Sequence, residues 1–439
     1  MSIVTTRRRW LNHFLETVAE RGRELLDREP ASNVVGAKAL CRDLLSLRGE
    51  ASGRAIAREI LSLYRSLNEE AKFVFFGALR DEFAAETPAI LSAAQAYAED
   101  QNDSNLAALQ YAVESPRQEL FRRLNLAPNG TASIIDMRAD LLQFMKQEPT
   151  LACVDRDLRH LLTSWFNVGF LELRGIDWET PAATLEKLIA YESVHEIRDW
   201  ADLRRRLGSD RRCFAFFHPA LPEEPLIFVE VALTNEITTN VHQILDAPTD
   251  SVPARNADTA IFYSINNCQV GLRGISFGNF LIKQVVVELQ SELPNIRNFS
   301  TLSPIPGFTR WAAGEGKELA QTILGYDYDL LTSIPSAETV QRKDCPRQKL
   351  ERLCAHYLMH AKRDGRAADP VCHFHISNGA QLGSVNYAAD CSENGLRQST
   401  GMMVNYVYRT ETIEQNHESY ATTGHVTADR NIEKLAQRD

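Results

Sequence analysis

The hydrophobic pattern of this chain changes part of the way along, and that change limits the folds it can adopt. Up to about residue 165, apolar residues recur at helical spacing, as in Ile56, Ile60 and Leu63, and no segment has the pattern of a strand. After about Trp200, runs rich in Phe, Ile and Val alternate with turn residues, which is typical of strands. We therefore expect an α+β protein in which an all-helical first part precedes a mixed α/β part.

The second part of the chain supplies most of the predicted strands. Short turns join the first of them, which predicts antiparallel pairing, and a strand, a glycine-containing turn and a long helix follow. The predicted strands are Cys213–His218, Leu226–Leu233, Thr259–Cys268, Ile296–Ser300, Val371–Ile376 and Met402–Tyr408, and the predicted helices are Gly278–Leu293, Gln348–Lys362 and Thr427–Ala436. A linker between the two parts is expected near Asn167–Asp177.

Charge and composition exclude several classes of protein. The chain carries 48 Lys and Arg against 58 Asp and Glu, a formal net charge of -10. This argues against a general nucleic-acid binder, whose affinity needs a basic surface, although a pocket for a small anion could be locally basic. No run of about 20 apolar residues predicts a transmembrane helix, and Arg7-Arg8-Arg9 lacks a following signal-peptide core. Eight cysteines without a C-x-x-C pair suit reduced thiols, so we expect a cytoplasmic protein that binds neither nucleic acid nor membrane.

The segment Gly274-Ile275-Ser276-Phe277-Gly278 lies between a predicted strand and a predicted helix. Its G-x-S-x-G spacing is typical of the nucleophile elbow of a serine hydrolase. That elbow needs a parallel sheet before it, and the short-turn strands leave no room for one. The other interpretation is a phosphate-binding turn, because glycine lets an anion approach the backbone and a helix N-terminus offers unpaired N–H groups. Arg273 would add a positive charge, whereas an ordinary glycine turn would bind nothing.

Two further segments contain residues that could do chemistry. Cys372-His373-Phe374-His375 suggests zinc, but a third ligand at suitable spacing is missing, and on a strand the two histidines would share one face. A single acid–base histidine and a structural histidine both remain open. Ser303-Pro304-Ile305-Pro306-Gly307 is stiffened by two prolines. It either holds a side chain beyond the end of a strand or is a stiff structural turn.

Several segments closely resemble the malonyl-CoA decarboxylase family. They are HPALPEEPLIFVEVALT (His218–Thr234), AIFYSINNCQVGLRGISFGNFLIKQVV (Ala260–Val286), FSTLSPIPGFTRW (Phe299–Trp311) and FHISNGAQL (Phe374–Leu382). Gly169–Ile197 resembles the join between the two domains of that family. The resemblance covers most of the chain from about Gly169 onward.

The resemblance implies an architecture and a binding segment. It implies a helical oligomerisation domain over residues 1–168 and, over residues 169–439, a catalytic domain with the acyltransferase fold known as GNAT. It places the CoA-binding loop at Arg273, Gly274, Ile275, Ser276, Phe277, Gly278 and Asn279. The superfamily motif Gln/Arg-x-x-Gly-x-Gly/Ala is met by Arg273 and Gly278, but Ser276 replaces the middle glycine.

The resemblance also implies a reaction and a catalytic pair, Ser303 and His375. The reaction is decarboxylation of malonyl-CoA to acetyl-CoA and carbon dioxide by a homotetramer, with no metal and no cofactor beyond the CoA of the substrate. The thioester carbonyl accepts the electrons released, so that no other electron sink is needed. His375 would protonate the carbon, Ser303 would position the carboxylate or relay a proton, and backbone N–H groups near Ser264–Asn267 would stabilise the enolate.

Three rival functions follow from the same residues. An acyl-CoA N-acyltransferase shares the implied fold but needs an amine acceptor. A CoA thioesterase would use Ser276 as its nucleophile and release free CoA. A helical oligomerisation module with an inactive CoA site would show no turnover at all.

Overall fold

The computed structural model describes residues 30–46, 50–247, 254–275 and 281–437. The chain divides into two compact units. The helical unit contains the residues up to Asn167 together with Gln269–Ile275, and the sheet unit contains Val168–Cys268 and Ser276–Asp439.

Packed helices form the helical unit. They are α1 (Pro30–Ser46), α2 (Glu50–Ser66), α3 (Glu69–Asp81), α4 (Thr87–Glu99), α5 (Asp103–Val113), α6 (Pro116–Asn125), α7 (Gly130–Phe144) and α8 (Ala152–Trp165). Helix α3 shows why the sequence folds this way, because the Asn68 side chain accepts a hydrogen bond from the Ala71 N–H and caps the helix. Phe75 and Phe76 on the same helix are buried. The all-helical character predicted for this part of the chain is confirmed.

A mixed sheet and its covering helices form the sheet unit. The strands are β1 (Glu172–Ile176), β2 (Arg211–Phe217), β3 (Ile227–Thr234), β4 (Thr259–Asn267), β5 (Asn298–Thr301), β6 (Ser303–Pro304), β7 (Lys362–Arg363), β8 (Arg366–Ala367), β9 (Gln381–Asn386) and β10 (Met403–Tyr408). The helices are α9 (Ala182–Tyr191), α10 (Trp200–Arg206), α11 (His242–Leu245), α12 (Leu281–Glu292), α13 (Phe308–Ala313), α14 (Lys317–Leu324), α15 (Asp329–Thr332), α16 (Ala337–Gln341), α17 (Arg347–His360), α18 (Pro370–Ser377), α19 (Glu393–Ser399), α20 (Ile413–Thr423) and α21 (Arg430–Ala436).

The large sheet has the order β1-β2-β3-β4-β5-β10-β6, with β9 also paired to β10. Among the described strands of this sheet, every pairing is antiparallel except that of β4 with β5, which run parallel. A parallel pair needs a crossover, and α12 lies in the chain between these two strands. The predicted strand, the long helix after it and the next predicted strand are therefore all present, and the α+β class is confirmed.

Two predictions of local structure differ from what the structure shows. The division between the two units, at Asn167 and Val168, falls within the linker expected near Asn167–Asp177, but this segment also contains strand β1, which pairs with β2 along its whole length. Charged, largely exposed residues such as Glu172 and Arg174 make this segment polar, so that it lacked the apolar pattern by which a strand is predicted, although it forms an edge strand. The expected strand Val371–Ile376 is instead part of helix α18.

The sheet opens between two of its central strands. Residues 259–262 of β4 pair with residues 298–301 of β5, and the Leu302 N–H then donates to the Phe262 carbonyl. The next residues, Ser303 and Pro304, pair with β10 instead. Among the described strands, the last part of β4 therefore pairs with β3 alone. The opening leaves one backbone edge of β4 without a strand partner among the described residues, beside Ser303.

Candidate active site

Ser303 lies at this opening, and its side chain is almost completely buried. Its Oγ lies 3.1 Å from Nε2 of His375, although 72 residues separate the two in the chain. The Ser303 hydroxyl donates to the Thr301 Oγ1 at 2.8 Å. The backbone N–H of Tyr406 also donates to the Thr301 Oγ1. The structure thus brings together the two side chains that the resemblance marks as a pair.

Helix α18 carries His375, and a side-chain cap begins that helix. The Asp369 carboxylate accepts hydrogen bonds from the N–H groups of Val371 and Cys372, each at 3.0 Å. Pro370 fills the first turn, where its missing N–H costs nothing. Asp-Pro is a helix-start signal, and it outweighs the strand-like composition of the residues that follow.

The surroundings of His375 keep its imidazole neutral. Its ring stacks on Tyr406 at a centroid distance of 4.5 Å, and its Nδ1 lies 2.8 Å from the Tyr408 hydroxyl. Burial lowers the pKa of His375 to about 3. Burial also raises the pKa of Tyr408 far above its usual range, so that its hydroxyl keeps its proton. The arrangement is satisfied when Tyr408 donates to Nδ1 and Nε2–H donates to Ser303.

The other oxygen of Asp369 joins this helix to the Ser303 segment. It accepts the Gly307 N–H at 3.1 Å and the Tyr357 hydroxyl at 3.4 Å. A Cβ placed on Gly307 would lie 2.1 Å from that hydroxyl oxygen, so the close approach requires glycine. Asp369 therefore fixes the segment of the serine against the helix of the histidine, and the sequence interpretation missed it.

The predicted CoA-binding loop is described only in part. Arg273, Gly274 and Ile275 belong to the helical unit, whereas Ser276, Phe277, Gly278 and Asn279 lie outside the described residues. The Ile275 N–H donates to the Leu272 carbonyl at 3.0 Å. With Arg273 at φ -56° and ψ 129° and Gly274 at φ 76°, the turn is of type II, which favours glycine at its third position. The side chain of Arg273 is exposed and free to meet an anion.

A buried carboxylate supports the end of β4. The Glu192 Oε2 accepts hydrogen bonds from Ser264 Oγ at 2.7 Å and Asn266 Nδ2 at 2.9 Å. Its Oε1 accepts the N–H groups of Val194 and His195. No motif marked Glu192 in advance, because its partners on β4 lie more than seventy residues away in the chain.

The zinc interpretation of Cys372, His373 and His375 finds no support in the geometry. On a helix, the two histidines no longer share one face, and the His373 Nδ1 lies 2.8 Å from the Tyr420 hydroxyl. Over residues 30–46, 50–247, 254–275 and 281–437, no group of three or more His, Cys, Asp and Glu side chains is arranged to hold a metal ion. Within the same ranges, no helix has the length and apolar character needed to cross a bilayer.

Comparison with known proteins gives consistent matches. Residues 169–439 match the family model of the malonyl-CoA decarboxylase C-terminal domain, and residues 83–166 match that of the N-terminal domain. The mitochondrial malonyl-CoA decarboxylase of the goose Anser anser anser is 35% identical over 412 residues, which cover 85% of this chain and 82% of the relative. The rat protein of that name, from Rattus norvegicus, is 36% identical over 355 residues, covering 74% and 72%.

Solved structures agree with the sequence matches. The crystal structure of malonyl-CoA decarboxylase from Rhodopseudomonas palustris is 45% identical, with a TM-score of 0.86 over 91% of this chain and 99% of that one. The corresponding structure from Agrobacterium vitis is 46% identical, with a TM-score of 0.83 over 92% and 100%.

Proposed function

This chain belongs to the malonyl-CoA decarboxylase family, and we propose that it converts malonyl-CoA to acetyl-CoA and carbon dioxide with Ser303 and His375 as its catalytic pair. The observation that carries the assignment of the pair is the buried contact of 3.1 Å between Ser303 Oγ and His375 Nε2. These residues stand beside the opening of the sheet, where a thioester could reach the backbone edge of β4.

Decarboxylation needs an acceptor for the electron pair of the breaking bond. The bond between the α-carbon and the carboxylate breaks, carbon dioxide leaves, and the electron pair moves into the thioester to give an enolate. We assign the N–H groups near Ser264–Asn267 as donors to the enolate oxygen. Each such donor contributes roughly 10²–10³ in rate when it is preorganised. Because the thioester itself accepts the electrons, the proposed reaction requires no metal and no cofactor apart from the CoA of the substrate.

The proton for the α-carbon comes from solvent by way of His375. The imidazole is neutral in the free protein, since burial lowers its pKa to about 3. A malonyl carboxylate beside it would favour the charged form, because an opposite charge raises the pKa of a histidine. The charged imidazole then gives its Nε2 proton to Ser303 as the Ser303 hydroxyl gives its own proton to the carbanion, which leaves Ser303 as a hydroxyl and His375 neutral with its proton on Nδ1. One proton from solvent is consumed for each carbon dioxide released, and exchange of the imidazole proton with solvent restores the Nε2–H form.

We assign CoA binding to Arg273, Gly274, Ile275, Ser276, Phe277, Gly278 and Asn279, as the family resemblance implies. The exposed guanidinium of Arg273 and the positive φ of Gly274 support this assignment for the described part of the loop. Anionic phosphate oxygens are bound well by a positive side chain and an approachable backbone.

The helical region before Gly169 is proposed to drive self-association to a tetramer. Helices α4 and α5 contain no buried residue, and their apolar side chains Leu91, Tyr111 and Val113 are 65%, 83% and 51% exposed. Helices whose apolar side chains are left exposed in this way are suited to contact with another protein. We also propose a cytoplasmic location, which suits the eight free cysteines.

The catalytic pair is tested by substitution. Ser303→Ala and His375→Asn should each lower kcat by at least about a hundredfold, because each removes a group that handles the transferred proton. The assay supplies malonyl-CoA without an amine acceptor and measures acetyl-CoA and free CoA separately. His373→Asn is the matched control, because His373 lies on the same helix but contacts Tyr420, and it should keep kcat near that of the wild type.

Each alternative has its own outcome in the same assay. Near-wild-type rates for either variant would refute the pair. Free CoA as the sole product would indicate a thioesterase, and turnover only after an amine is added would indicate an acyltransferase.

A further inference from the structure

Arg138 of helix α7 is a buried cation whose donors hold the backbone of a distant segment. Only 1% of its side chain is exposed. Its Nη1 donates to the carbonyl of Gly271 at 2.6 Å and to the carbonyl of Arg273 at 3.0 Å. Its Nε donates to the Asp155 carboxylate on α8 at 2.7 Å. The guanidinium therefore joins helices α7 and α8 to residues that lie 133 and 135 positions from Arg138 in the chain.

The second of these carbonyls belongs to the central peptide of the type II turn described above. The central peptides of type I and type II turns face in opposite directions, and glycine permits both arrangements. A hydrogen bond from Arg138 to the Arg273 carbonyl selects one direction. Because a trans peptide holds its C=O and N–H antiparallel, the Gly274 N–H then points away from Arg138. Arg273 and Gly274 are both exposed.

The same segment is also held by direct packing. A Cβ on Gly271 would lie 1.9 Å from the Ile135 carbonyl oxygen, so that the backbone of the segment lies against helix α7. Packing fixes where the segment lies, and the guanidinium fixes which way its peptide faces. A lysine could not donate to the Asp155 carboxylate and to both carbonyls in the same way, since its ammonium lacks the planar fork that meets several acceptors at once.

We propose that Arg138 is a positioning residue for the phosphate-binding backbone of the CoA loop, acting through the Arg273–Gly274 peptide. The proposal rests on the proposed function, in which this loop binds the phosphates of CoA. It gives the helical unit a part in substrate binding that is separate from self-association.

The test compares malonyl-CoA with a shorter thioester that ends before the nucleotide and its phosphates. Arg138→Lys should raise the KM for malonyl-CoA by about tenfold with kcat changed less than about threefold, because the loop affects binding rather than chemistry. The KM for malonyl-pantetheine, which lacks the nucleotide and its phosphates, should stay unchanged. An equal rise in KM for both substrates, or no rise for either, would overturn the proposal.

Arg117→Lys provides a matched control. Arg117 is also a buried arginine of the helical unit, and it pairs with Asp157 on the same helix as Asp155. Its contacts lie away from the loop, so any general loss of stability should appear without a change in KM. If Arg138→Lys does not fold, the double variant Arg138→Met and Asp155→Leu removes both charges together and should show the same rise in KM for malonyl-CoA alone.

A third variant separates this proposal from the function on which it rests. Arg273→Ala should raise the KM for malonyl-CoA but not for malonyl-pantetheine. If Arg273→Ala has no effect, the phosphate assignment of the loop is wrong, and the role of Arg138 falls with it. If Arg273→Ala raises KM and Arg138→Lys does not, the role of Arg138 alone is wrong.

Discussion

At the scale of single residues, the contact at Nδ1 of His375 decides whether the nitrogen that faces Ser303, Nε2, carries the proton. Tyr408 keeps its proton because burial raises its pKa far above the usual range. The single hydroxyl proton of Ser303 is donated to Thr301, so the contacts are satisfied when Ser303 accepts from Nε2–H and Tyr408 donates to Nδ1. The proton of the neutral imidazole is then on Nε2, beside Ser303 Oγ. A positioned hydroxyl thus holds the neutral imidazole with its Nε2–H toward Ser303, and Nε2 is the nitrogen from which the charged form is proposed to pass its proton.

Tyr408→Phe should lower kcat by about tenfold, because without the hydroxyl both tautomers become accessible and part of the population is unproductive. Steady-state kinetics with malonyl-CoA measures the effect, and KM should change little. Tyr420→Phe is the matched control, since Tyr420 makes an equivalent contact of 2.8 Å with the neighbouring His373. Equal rates for the Tyr408 and Tyr420 variants would show that the contact at Nδ1 has no role in the reaction.

At the scale of elements, Asp369 links the start of helix α18 to the Ser303 segment through Gly307. The hydrogen bonds of this buried carboxylate counteract the rise in its pKa that burial causes. The link places the serine and histidine together although they come from separate elements. The geometry of the pair therefore depends on the close contact at Gly307.

Gly307→Ala should destabilise the protein by about 1–3 kcal/mol, because the added methyl group would overlap the Tyr357 hydroxyl. Thermal unfolding and kcat should both report the change. Adding Tyr357→Phe, which removes the overlapping oxygen, should restore part of the loss. Gly77→Ala is the control, since a Cβ there meets no atom within 4 Å. Equal melting temperatures for the Gly307 and Gly77 variants would contradict the steric account.

Local signals in the sequence identified elements where their periodicity was clear. Helix α17 and strand β4 both form close to their predicted places. The segment Val371–Ile376 was misjudged, because apolar residues in a short run fit strand and helix equally well until the Asp369-Pro370 start is weighed.

The partners within the site could not be predicted from local pattern. Ser303 and His375 were singled out together only through the family resemblance, and their contact spans 72 positions. Arg138, Glu192 and Asp369 were missed for the same physical reason. Each acts through tertiary contacts with residues far along the chain, and no spacing in the sequence encodes such a contact.

At the scale of the whole molecule, the proposed self-association can be tested at the exposed apolar residues of α4 and α5. Tyr111→Lys combined with Leu91→Lys should reduce the molar mass measured by light scattering after gel filtration, because two charges would have to be buried at the contact. Val287→Lys is the control, since Val287 is 65% exposed but lies in the sheet unit. An unchanged mass for the double variant would show that this helical pair is not the surface of association.

The most direct test of the central claim is a double-mutant cycle on Ser303 and His375. Single-turnover rates of acetyl-CoA formation are measured for wild type, Ser303→Ala, His375→Asn and the double variant. If the two residues pass one proton as a unit, the double variant should be about as slow as the slower single variant. Losses that multiply, or a single variant that keeps the wild-type rate, would contradict the account.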